Sequence, residues 1–88
     1  MLKTISKAKK EALVRWINDC IKNQSLFLKQ FGISKDDILN SDQLLDDIVW
    51  NYAKDDLKVV SGWNDSDETK NFVNSEISRL YDAIENEE

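Results

Sequence analysis

The stretch that decides the fold runs from Leu44 to Val60, LLDDIVWNYAKDDLKVV. Leu44, Leu45, Ile48, Val49, Tyr52, Ala53, Leu57 and Val60 recur at steps of three and four, the period of a helix face. A half-buried strand would alternate at every second residue, and this stretch does not. Trp50 widens the apolar arc, and an arc that wide predicts a central helix contacted on two sides. Ser41 stands ahead of it as an N-cap. Ser61-Gly62 follows as a stop, with Gly62 at the C′ position and Trp63 set to fold back on the last turn. A helix over 42–60 is expected.

Upstream, Ile5, Ala12, Leu13, Trp16, Ile17, Cys20, Ile21, Phe27, Leu28 and Phe31 continue the same spacing. They predict a helix over 5–30, capped by Thr4 or Ser6 and ended by Gly32. The polar run Lys22-Asn23-Gln24-Ser25 marks a kink or break, so one long helix and two shorter ones both stay open. Ser34-Lys35-Asp36-Asp37 reads as an N-cap with acids in the first turn of a short helix over 35–39, with Ile33 and Ile38 as its hydrophobic staple. Downstream, Asn64 to Glu68 forms a turn, with capping pairs Asp65–Glu68 or Ser66–Thr69. Val73, Ile77, Leu80, Tyr81 and Ile84 then make a narrower stripe, predicting a peripheral helix over 67–85. The expected fold is all-α: one domain over 1–88, a bundle of three main helices and one short one.

Composition supports this reading. With 88 residues the chain is the size of one small domain, and its 41% apolar content with three Trp is enough for a core. No Pro interrupts the helical patterns. The single Cys20 excludes an internal disulfide framework and a CxxC zinc site. No apolar run reaches the ~18 residues of a membrane span, and no signal-peptide core is visible at the N-terminus. A soluble, cytoplasmic protein is expected, with no membrane partner.

Catalysis finds little to work with. There is no His, the commonest general base and metal ligand. The acid pairs Asp36-Asp37, Asp46-Asp47 and Asp55-Asp56 are chain neighbours, which point about 100° apart on a helix and form no facing dyad. A calcium loop starting at Asp65 would place Lys70 where the turn glycine belongs. Cys20, flanked by Trp16, Ile17 and Ile21, reads as a small core residue. Gly32 and Gly62 are the two glycines, too few for a phosphate loop. No catalytic residue, metal site or cofactor is expected.

Charge is more informative. Residues 1–35 carry a net charge of +6 and residues 36–88 a net charge of -11. Such asymmetry means either internal pairing or two surfaces of opposite potential. Lys3, Lys7 and Lys10 line one side of the first helix and are candidate phosphate-binding residues. An overall charge of -5 and the lack of aromatics among these lysines weigh against nucleic acid. The acids Asp42, Asp46, Asp47, Asp55 and Asp56, with Trp50 or Trp63 as apolar anchor, are the candidate surface for a basic protein partner.

The expected function is therefore a non-enzymatic acidic binding protein, an inhibitor or regulator. In size and charge it resembles, in general character, toxin-immunity proteins and phage-encoded inhibitors of host machinery, and its abundance of Lys, Asn and Ile suits an AT-rich genome. The alternatives are a nucleic-acid or nucleotide binder using the basic helix and a homo-oligomeric structural protein.

Overall fold

A computed structural model describes residues 5–41, 43–58 and 67–86, and the described residues form five α-helices and no strand. Ser6 opens α1 (Lys7–Lys22), its hydroxyl accepting the Lys9 N–H at 3.3 Å. The helix stops at Asn23, which leaves helical geometry at φ -123°, ψ 59°. The break in the polar run is real, and α2 (Gln24–Phe31) is a separate helix. That bend turns Phe27 back onto the core, where it meets Trp16 edge to face at 6.2 Å.

Gly32 ends α2 at φ 66°, a left-handed cap in which Gly32 and Ile33 donate to the carbonyls of Lys29 and Leu28. Ser34 and Asp37 then close a reciprocal capping box at the start of α3 (Lys35–Asn40). Ile38 is fully buried and Ile33 half-buried, as the staple requires.

α4 (Leu44–Asp55) departs from expectation at both ends. Ser41 does not cap it; Ser41 is the C-cap of α3, donating to the Ile38 carbonyl, and α4 starts from Gln43 without a side-chain cap. The helix ends at Asp55 and not at Val60, because Asp56 and Leu57 both donate to the Tyr52 carbonyl and Lys58 takes a left-handed φ of 57°. Leu57 thereby leaves the helix to pack with Ala53, Ile5 and Phe72. The place of Asp56 inside the apolar arc predicts partial burial beside a lysine or arginine; as the cap of a shortened helix it is instead exposed and enters no ion pair among the described residues. The expected stop at Gly62, the fold-back of Trp63 and the capping pairs of Asp65 and Ser66 lie outside the described residues.

α5 (Asp67–Glu85) is the hub. It packs most extensively on α1, then on α4 and α3. Lys10 reaches Glu68, Asn18 reaches Arg79, and Gln24 reaches the Ala83 carbonyl, so α1 and α5 run parallel. α4 runs back against α5, with Leu45 beside Tyr81 and Ala53 near Phe72. The expectation that α5 is peripheral is therefore overturned, while α4 keeps the two-sided contact expected of it, with α3 and α5.

The cause is polar burial. The apolar stripe of α5 is narrow, but Thr69 and Glu76 are buried beside it and widen its inner face. Thr69 Oγ1 accepts the Ile5 N–H at 2.8 Å and pins the chain just before α1. Both carboxylate oxygens of Glu76 accept from the Arg79 guanidinium, at 3.2 and 2.6 Å, while a third Arg79 nitrogen donates to Asn18 Oδ1 at 2.9 Å. A two-pronged bond of this kind makes burial of a carboxylate tolerable. It also holds Arg79 in its charged form, raising its pKa against the opposing effect of partial burial.

Two outcomes follow for stability. Arg79→Ala strands a buried carboxylate and should cost about 1–3 kcal/mol in urea unfolding, whereas the double variant Glu76→Leu/Arg79→Leu should recover most of it. Equal losses for the single and double variants would show that the pair is not what Glu76 needs. Gly32→Ala should lose about 1–2 kcal/mol through backbone strain alone, since a Cβ there meets no neighbour, and Lys58→Gly should change stability in the opposite direction. A calorimetric melting temperature that moves the same way in both would contradict the left-handed geometry.

Candidate partner-binding surfaces

The basic face of α1 is partly used within the fold. Lys10 pairs with Glu68 at 3.0 Å and lies 5.5 Å over the Phe72 ring. Its neighbour Lys9 donates to the Lys58 carbonyl at 2.8 Å and ties α1 to the end of α4. Lys7 is exposed, and Lys3 lies outside the described residues. Of the three candidate phosphate ligands, one is thus committed to α5 and one remains at the surface.

The candidate acidic residues do not form one cluster. Asp46 and Asp47 stand in the first turn of α4, where carboxylates meet the positive end of the helix dipole. Asp55 and Asp56 stand at its other end, about 13 Å away along the axis. Asp42 and Trp63 lie outside the described residues. Trp50 follows Asp46 by one helical turn on the same edge, half-buried against the core, and the Lys54 ammonium sits 5.7 Å from its ring.

What Asp46 does join is the adjoining face of α5. Leu45, Asp46, Ile77, Ser78, Tyr81 and Asp82 line a groove of about 210 Å³ between the two helices. Its floor is apolar, from Leu45, Ile77 and Tyr81, and both walls carry a carboxylate. That volume falls below the ~300 Å³ typical of small-molecule pockets and is the size of a side-chain receptacle. The sequence places Tyr81 in the apolar stripe of α5 but marks neither Tyr81 nor Asp82 as a site residue. Their signal was the register Ile77–Tyr81 and Ser78–Asp82, two successive four-residue steps on one side of α5, but sequence does not say which helix lies beside that side.

Negative charge dominates what remains uncompensated. Asp36, Asp47, Asp55, Asp56, Asp82 and Glu85 are exposed and enter no ion pair among the described residues. Tyr52, stacked on Trp16 at 4.0 Å, feels this field: burial first, and then the Asp56 charge, raise its hydroxyl pKa. No group of three or more Cys, Asp or Glu side chains converges as metal ligands among the described residues, and no described helix is long and apolar enough to cross a membrane.

Cys20 is a core residue. It is 5% exposed, and burial followed by the nearby Asp19 charge pushes its thiol up to about 12. Since the thiolate is the nucleophile, iodoacetamide at pH 8 should modify native Cys20 at least ~100-fold more slowly than the urea-unfolded chain. The raised thiol pKa also makes stability depend on pH. Below about pH 8.5 the thiol is neutral in both states; above it the unfolded chain ionises first, so stability should fall as pH rises toward 12. Rapid labelling of the folded protein would contradict the buried placement. Comparison of the chain with protein-family models, with curated proteins and with solved structures finds no match.

Proposed function

We propose that this chain is a non-enzymatic binding protein, an inhibitor or regulator that engages a basic protein partner along the edge shared by α4 and α5. One observation carries the reading: Lys9 and Lys10 of α1 are drawn into internal contacts, while Asp36, Asp47, Asp55, Asp56, Asp82 and Glu85 are exposed and enter no ion pair among the described residues. Such a surface attracts positively charged partners over roughly a Debye length, ~8 Å at physiological salt. At short range the groove supplies what a field does not. A lysine or arginine stem can lie on Ile77 and Tyr81 with its head between Asp46 and Asp82, and Trp50 offers apolar area one turn along. The engagement of Lys9 and Lys10 leaves the nucleic-acid alternative with less of the basic helix than its sequence promised.

Long-range steering and short-range contact separate in the kinetics. Against a partner captured on the immobilised chain, Asp46→Lys with Asp47→Lys should slow association about tenfold or more at low salt and change dissociation less. Trp50→Ala, with folding checked by circular dichroism, should instead speed dissociation. An association rate and salt dependence left untouched by the two reversals would remove the acidic edge from the interface.

A further inference from the structure

Leu26 and Phe31 are 64% and 40% exposed, large apolar side chains that α2 turns to solvent. Scattered exposed apolar residues are ordinary. These two belong to a connected aromatic group: Phe31 meets buried Phe27 at 5.2 Å, Phe27 meets Trp16, and Trp16 stacks on Tyr52 with planes 7° apart. The bend at Asn23 opens a groove of about 370 Å³ in the elbow between α1 and α2, with Trp16, Cys20, Leu26 and Phe27 on its floor and Asp19 and Gln30 at its rim. Leu26 carries this apolar lining out to solvent, an open surface that the apolar stripe of a helix can cover.

Charge says which helix. Residues 15–31 hold three cations, Arg15, Lys22 and Lys29, against one acid, Asp19. All three cations are exposed and enter no ion pair among the described residues. A second copy presenting the same face would bring cations onto cations, which disfavours a two-fold pairing here. We infer that the α1–α2 elbow is a second docking surface, taking an amphipathic helix of a partner protein whose apolar anchors recur at three- and four-residue steps between acidic flanks. Its charge is opposite to that of the α4–α5 edge and its occupant is a different one. The rigid, stacked aromatics lose little freedom on binding, which favours affinity from a small area.

Selection from a random 16-residue peptide-display library on the immobilised full chain tests this directly. Enriched peptides should carry Leu, Phe or Trp at helical spacing and a net negative charge. Leu26→Asp, at an exposed position, should weaken them about tenfold or more; Lys29→Glu should weaken them while leaving the apolar floor intact; and Asp47→Lys should not weaken them. Circular dichroism establishes that each variant is folded. The inference is overturned if no peptide is enriched, if the enriched peptides are basic, or if they bind Leu26→Asp as tightly as the parent. It is likewise overturned if sedimentation reveals a dimer of this chain that Leu26→Asp dissolves, since a second copy then covers the patch.

Discussion

Burial of α5 against three other helices is the constraint on which the fold depends, and it rests on satisfying two polar side chains. Thr69 and Glu76 sit on the inner face of that helix, where water cannot reach them freely. An unpaired buried carboxylate costs several kcal/mol, enough to offset much of a small domain's stability. The Arg79 fork meets that demand and, by reaching Asn18, also fixes how far α1 can slide along α5. Thr69 does the same at the other end through the Ile5 amide. With α1 and α5 locked in parallel, α4 fills the remaining side in the opposite sense, and the edge it shares with α5 becomes the acidic groove.

The two faces of opposite charge are a consequence of this arrangement. In sequence, the charge asymmetry admits full internal neutralisation. In the fold only part of it is neutralised: Lys10 finds Glu68, but Asp47 near the start of α4 and Asp82 and Glu85 near the end of α5 are exposed and enter no ion pair among the described residues. Lys29 of α2 and Arg15 and Lys22 of α1 likewise stay at the surface. Each face pairs its charge with exposed or half-exposed aromatic area, the combination that interfaces use for attraction and then for retention.

Helical class was legible in the spacing of apolar residues, and so were the cap at Ser34, a first cap at Thr4 or Ser6, and the stop at Gly32. Those signals are local and involve residues within one turn of each other. Helix order in space was not legible, because it depended on Thr69 and Glu76 being buried, and sequence patterns count such residues as surface. The early end of α4 was hidden for a related reason. Leu57 continues the apolar period, so nothing in the period shows that it leaves the helix to meet Ile5 and Phe72. The candidate site suffered from both. Asp46 and Trp50 were found from α4 alone, while Tyr81 and Asp82 entered only when α5 was known to lie alongside.

The parallel pairing of α1 with α5 also bears on how the protein comes to be folded. Hydrogen bonds that hold the two helices together join residues 58, 61 and 64 positions apart in a chain of 88. Helical proteins usually gather their contacts locally and fold quickly on that account. Here α1 has to wait for α5, so during synthesis its apolar face remains without its main partner until residues 58 to 64 positions further along have been made. The protein thus combines the secondary structure of a fast-folding bundle with the closure problem of a non-local topology, and the order of its helices, more than their propensity, sets the moment at which it becomes native.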